Sequence, residues 1–335
     1  MMFKGFRVIL AVLMLCAASL LYAGTGTSAL PFLRIAPSAR AVGLGETFVA
    51  IADDANASYW NPAGIANIEN TQFSFMHMFY WDSSIYEYIA LAYPLSDKLK
   101  IGGHVIYLNY GAIDKTTETT GGGFGAAIGT FTPFDLAVAG TIAYKLNDAF
   151  QFGANVKFAM QSIDTDSISG LAFDGGILYS NPDLLDMLGA KDFIFGAALS
   201  NLGSAISGDS LPLTLRGGFS VKFNVQSEKD LLAAVSAYYP FDSGTISENL
   251  GVEYSIDNRF CVRLGYKIGY DAAGLTAGLG YKGELPGLFL YQVDYSYAPA
   301  GNIGDTHRLS ATITLDEHAG GVNKGKKVAP VKKTK

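Results

Sequence analysis

The chain has 335 residues, only 16% of them charged, with 39 glycines, 19 tyrosines, 21 phenylalanines and a net charge of −6. That balance of few charges, many aromatics and many glycines suits an all-β chain with a large apolar surface. Residues 24–315 carry 16 basic against 28 acidic side chains, a net of −12, the wrong sign for a nucleic-acid partner.

The first segment, 1–23, reads as a secretory signal peptide. Lys4 and Arg7 precede an apolar run from Val8 to Leu21, and Ala23 supplies a small residue at the cut. Leu15 stands before Cys16 where lipoprotein processing needs a small residue, so lipidation is disfavoured. Removal of the leader leaves Cys261 as the one cysteine, and an intramolecular disulfide is excluded.

Residues 24–70 form a second segment, rich in Ala and Gly and without strand alternation. It holds "ADDANASYWNPAG", from Ala52 to Gly64. Asn61 is placed to cap a helical turn that starts at Pro62, where the missing proline N–H costs nothing. Asp53 and Asp54 are placed to meet basic side chains of a surrounding wall.

From 71 to 315 the pattern is strands. Fourteen segments start near residues 71, 84, 98, 134, 149, 169, 191, 211, 230, 248, 258, 273, 287 and 305. "RFCVRLGYKIGY" shows the period of two: Phe260, Val262, Leu264 and Tyr266 share one face, and Arg259, Arg263 and Lys267 the other. An even strand number with aromatics near strand ends predicts a transmembrane β-barrel of about 14 antiparallel strands, its apolar face to lipid and its polar face to the lumen.

Alternate links such as "LSDK", "LNDA", "IDN" and "KGELPG" are short; "SNPDLLDMLGAKD" reads as a helical turn. The opposite links include "GAIDKTTETTGGGFGAAIGTFTP" and "NLGSAISGDS". This asymmetry places the short turns in the periplasm. A turn at 257–259 sets Glu253 opposite Arg263, an ion pair facing the lumen.

The first three strands lack clean alternation and are apolar on both faces, so one sector of the lumen is greasy. Packing against the N-terminal segment and a lining for apolar ligands both account for it. Within the third strand Gly102 and Gly103 weaken the ladder; a bulge that opens a lateral window and a local packing adjustment both remain open.

The last segment, 316–335, carries six lysines against Asp316 and Glu317 and is broken by Gly and Pro. Its low hydrophobicity predicts a disordered basic tail on the periplasmic side.

Other motifs carry no chemistry. "GLGYKG" lies in a strand and opens no helix, and "GGVNKGKK" has Lys327 where a phosphate loop needs Ser or Thr. The four histidines are scattered, and no nucleophile elbow occurs. Neither catalytic residues, nor a metal, nor a cofactor are expected.

"GTSALPFLRIAPSARAVGLGETFVAIADDANASYWNPAGIANI" resembles the N-terminal signature of the PorV/PorQ family of outer-membrane proteins. Its "ARAVGLGETFVAIADDA" followed by "NPA" is more distantly similar to the opening of FadL-type long-chain fatty-acid transporters. "FGAALSNLG" and "VDYSYAPAGNIGDTHRLSATITL" also look like PorV/PorQ proteins. The resemblance implies a fourteen-strand barrel in the bacterial outer membrane with the N-terminal segment folded inside as a hatch. Arg40, Gly45, Asp53, Asp54, Asn61, Pro62 and Ala63 are then the hatch motif, and Gly102 and Gly103 the candidate lateral window, as in FadL-type proteins. It also implies two functions: passage of hydrophobic small molecules such as fatty acids, or a non-enzymatic role receiving exported proteins for a type IX-like secretion system. The implied partners are outer-membrane lipid, a hydrophobic ligand and secretion proteins.

Overall fold

The computed structural model describes residues 28–79, 84–118, 123–181, 184, 189–226, 228–270, 274–299, 301 and 304–315. The expected leader and basic tail lie outside the described residues, as do residues 182–183 and 185–188 of the link expected to form a helical turn.

The alternating segments form sixteen strands among the described residues. They are β1 (Gln72–Phe79), β2 (Ile85–Pro94), β3 (Leu99–Asn109), β4 (Ile113–Glu118), β5 (Phe124–Phe131), β6 (Phe134–Lys145), β7 (Phe150–Ile163) and β8 (Asp166–Ser180). There follow β9 (Asp192–Leu202), β10 (Thr214–Gln226), β11 (Lys229–Pro240), β12 (Ser247–Ile256), β13 (Phe260–Ile268), β14 (Gly274–Leu285), β15 (Phe289–Pro299) and β16 (Asp305–Leu315).

Fourteen of them close into one antiparallel barrel, each beside its chain neighbour, with β1 paired to β16. Every wall strand begins within three residues of its expected start. No described helix is long and apolar enough to cross a membrane; a closed barrel crosses with strands whose backbone groups are all paired in the ladder. The difference from expectation lies between β3 and β6. The Gly/Thr-rich link folds as a separate hairpin, β4 with β5, outside the wall. Thr residues and alternating small apolar residues favour extended pairing there, despite the glycines.

The two faces follow the period of two. On β13, Phe260, Val262, Leu264 and Tyr266 point outward and are exposed, while Arg263 is 1% exposed and faces the lumen. Arg259 sits exposed in the turn before β13, where it lines the cavity at the short-turn end of the lumen.

Residues 28–71 run through the lumen. Ala29 N–H donates to the Ser210 carbonyl (2.9 Å), and Arg34 pairs with Asp242 at 2.6 Å, both at the end of the barrel that carries the longer links. The segment finishes at the opposite end, where the Leu315 N–H donates to the Thr71 carbonyl (2.9 Å) beside the start of β1. It is built of short turns: Pro31–Arg34, a helix α1 (Ala39–Gly43), Phe48–Ala50, a helix α2 (Ala57–Trp60) and Pro62–Asn67. Its apolar residues and the lumen faces of β1–β3 form one buried cluster that includes Phe32, Leu33, Trp60, Met76, Tyr88 and Ile106.

The facing of β13 gives a direct test. Replacing Leu264 by Arg puts a charge on the lipid face and is expected to cost about 2–4 kcal/mol near the midplane. Urea unfolding of the barrel in lipid vesicles measures it; an unchanged midpoint contradicts the register.

Candidate hatch and lumen site

Arg40, on α1, is the hub. Its Nε donates to Glu253 Oε2 (3.0 Å) and its Nη2 to Glu253 Oε1 (3.2 Å). The same guanidinium donates to Asp53 Oδ1 (2.6 Å) and lies 3.5 Å from Asp54 Oδ2. The two aspartates therefore meet a cation of the hatch itself, not of the wall as expected, and the wall contributes the acid. A planar guanidinium with five donors can join two carboxylates from different elements at once.

The network continues along the wall. The register pairs Glu253 with Arg263, as the turn arithmetic predicts. Arg263 donates through Nε to Glu253 (2.5 Å) and through Nη1 to Asp294 on β15 (2.7 Å). Both members of the pair are buried rather than solvated. Lys267 takes a separate partner, Glu46 of the hatch, at 2.5 Å.

Asn61 does more than cap. Its Oδ1 accepts from the Ala63 N–H (3.2 Å) at the start of the turn Pro62–Asn67. Its Nδ2 donates to the Val49 carbonyl (2.8 Å) and to the Ile177 carbonyl of β8 (3.1 Å), so one amide ties two hatch turns to the wall.

Sequence reasoning missed a row of lumen-facing glycines on which the hatch backbone rests. A Cβ at Gly153 would lie 2.2 Å from the Pro62 carbonyl carbon, and one at Gly176 2.1 Å from Asn61 Oδ1. At Gly196 it would lie 2.3 Å from the Val49 carbonyl oxygen, at Gly251 2.3 Å from that of Leu44, and at Gly265 2.0 Å from Gly45 N. Gly45 itself has φ +66°, and its N–H donates to Thr276 Oγ1 (3.1 Å), so a side chain there meets both strain and the wall. The available signal was glycine at lumen parity inside otherwise good strands.

Two further anchors were missed. Arg216 of β10 places its guanidinium carbon 5.4 Å from the Trp60 ring and 5.8 Å from Tyr59, a cation–π clamp on α2. Ser58 Oγ lies 2.7 Å from both His104 Nδ1 and Thr141 Oγ1.

Gly102 and Gly103 form no bulge. Gly102 pairs with Ala92 and Thr141, and Gly103 with Leu91 and Gly140, in unbroken ladders on both sides. A Cβ at Gly102 would lie 3.7 Å from Ile65 Cδ1, ordinary contact with the hatch, and 2.6 Å from the Leu91 carbonyl oxygen. Continuous hydrogen bonding outweighs the weak strand propensity of glycine here.

At the short-turn end the lumen opens into a cavity of about 650 Å³ lined by Arg40, Asp53, Asp257, Arg259, Lys282 and Glu284 among others. A smaller one of about 160 Å³ adjoins it and shares Arg40, Asp53 and Lys282.

Two outcomes follow. Asn61→Ala removes three hydrogen bonds and is expected to weaken hatch seating by about 2–3 kcal/mol, above the ~1 kcal/mol of a lone N-cap, while the barrel persists. Protease protection of the hatch against heat-modifiable gel mobility of the barrel separates the two. A double-mutant cycle of Glu253→Gln with Arg263→Met should show coupling of about 1–3 kcal/mol; zero coupling excludes the buried pair.

A family model described as "Type IX secretion system protein PorV" matches residues 23–211, more than half of the chain. No curated protein matches it. Among solved structures, the Pseudomonas putida toluene transporter TodX is similar at 12% identity and a TM-score of 0.56, covering 83% of this chain and 96% of that one. The Ralstonia pickettii toluene transporter TbuX is similar at 14% identity and a TM-score of 0.52, covering 82% and 96%. A deltaS2S3 mutant of the TodX monoaromatic hydrocarbon channel matches at 11% identity and a TM-score of 0.57, covering 83% and 98%. These likenesses bear on the fold, which they share with a closed antiparallel barrel; the family match, over more than half the chain, makes this outer-membrane protein a member of the PorV family.

Proposed function

We propose that the barrel passes small hydrophobic molecules across the outer membrane and that the hatch is its gate. The observation that carries this reading is the apolar lumen sector of β1–β3. Met76, Met78, Ile106 and Leu108 are buried in one cluster with hatch residues such as Phe32, Leu33 and Trp60. A plug needs only to fill space; a plug seated against a greasy track uncovers that track whenever it moves. The similarity of fold to hydrocarbon channels points the same way. Asp53, Asp54, Arg40 and Asn61 act in this reading as the fastenings of the gate, and no residue has a catalytic role.

A second reading rests on the family match, whose description names type IX secretion. In it the barrel is a non-enzymatic partner that receives exported proteins at the cell surface. The β4–β5 hairpin, which stands outside the wall at the long-link end, is then the surface offered to them.

A reversible tether distinguishes the readings. Ser58 and Thr141 have their hydroxyl oxygens 2.7 Å apart across the hatch–wall boundary. The pair Ser58→Cys and Thr141→Cys, once oxidised, is expected to stop uptake of a monoaromatic hydrocarbon into vesicles containing the barrel, and reduction should restore it. Uptake that ignores the tether sinks the gate. Absence of uptake in either redox state sinks the channel and leaves the secretion reading.

A further inference from the structure

We propose that the outer face of β15, β16, β1, β2 and β3, near the long-link end, binds the headgroup of a sugar-bearing lipid. The register lays one row of side chains across these five strands. Tyr295 stands beside Leu309, Leu309 beside His77, His77 beside Glu87, and Glu87 beside Tyr107. The row has the outward parity of Phe79 and Ile89, both exposed on the lipid side. His77 is two residues inside the end of β1, and Glu87 two residues inside the start of β2. That level is where acyl chains give way to headgroups. Longer links mark the cell-surface side of such a barrel, so the leaflet is the outer one.

A carboxyl group on a lipid-facing wall is costly unless donors meet it. His77 Nδ1 lies 2.7 Å from Glu87 Oε1 and occupies that oxygen. The Glu87 side chain is still 42% exposed, so its second oxygen is open to a donor from the membrane. Both ends of the row carry positioned hydroxyls. Tyr295 Oη lies 2.7 Å from His307 Nδ1, and Asn109 Nδ2 donates to Tyr107 Oη (3.1 Å). A carboxylate accepts only, whereas phenol hydroxyls both donate and accept; together they match the hydroxyls of a sugar. The tyrosine rings add flat apolar faces for the C–H side of a sugar ring. A phosphate headgroup fits poorly. Among the described residues, the outward positions of these five strands hold Glu87 and Asp305 and no Lys or Arg, so a phosphate meets like charge without a cation. The next outward row towards the membrane centre is Ala311, Phe75, Ile89 and Val105. That apolar row seats acyl chains, which makes the guest a lipid and not a free sugar. The site lies outside the lumen and depends on neither reading of function.

Native mass spectrometry of the full chain tests the site after incubation with equal amounts of digalactosyldiacylglycerol and phosphatidylglycerol of the same acyl chains. The galactolipid is expected to be retained roughly tenfold over phosphatidylglycerol, the scale of hydrogen bonds to a charged acceptor. The variant His77→Leu with Glu87→Leu, an apolar pair that a lipid face accepts, should remove the preference. Glu284→Gln, at the short-turn end, should keep it. A photoreactive galactolipid locates the contact on the unaltered chain. Its crosslinks are expected in β1–β3 and β15–β16 and should survive excess free lactose. Equal retention of the two lipids, a preference for phosphatidylglycerol, or a preference that the double variant keeps overturns the proposal. So do crosslinks spread around the whole barrel, or their displacement by lactose.

Discussion

The hydrogen-bond ladder between β1 and β16 is the constraint on which everything else rests. Without it the sheet has two open edges, and an unpaired N–H or C=O in hydrocarbon costs several kcal/mol. Closure is achieved with eight consecutive paired positions, from Gln72 with Thr314 to Phe79 with His307. Once fourteen strands are closed, their diameter is fixed, and it is too wide for wall side chains to fill. The hatch occupies that interior, and the glycines of the wall let its backbone approach.

The interior is therefore solved in two different ways around the circumference. On β1–β3 the lumen face is apolar and packs against apolar hatch residues. On β12, β13 and β15 it is charged, and the hatch answers with Arg40 and Glu46. A buried ion network contributes less net stability than an apolar contact of the same size, because desolvation offsets most of the attraction. Its value is specificity: only one placement of α1 lets the Arg40 guanidinium join Asp53 to Glu253, the carboxylate that also holds Arg263.

Much of the wall was legible because lipid imposes a strict rule. Period-two alternation in β13, and the short turn before it, are enough to predict that Arg263 faces inward and meets Glu253. The hatch was legible only in parts. Asn61–Pro62 announces a capped turn, but its two extra bonds depend on Val49 and Ile177, neither near it in sequence. Asp53 and Asp54 were expected to seek a wall cation because nothing local shows that Arg40 folds back thirteen positions to reach them. At Gly102 and Gly103 the sequence left a bulge and a packing adjustment both open; pairing on both sides shows no bulge, because the closed ladder overrides weak propensity.

The two kinds of hatch contact differ in what it takes to open them. Ion pairs and hydrogen bonds exchange readily for water, so parting Arg40 from Glu253 in a wetted lumen is compensated by solvation. Uncovering Met76, Met78, Ile106 and Leu108 is not, since each buried side chain is worth about 1.5–3 kcal/mol against exposure to water. A hydrophobic molecule that enters as the hatch leaves covers the same surface and offsets that cost; a polar solute does not. In the proposed gate the greasy sector would make opening conditional on the chemistry of the guest, so that selectivity would arise from the cost of the empty, open state without a dedicated recognition pocket.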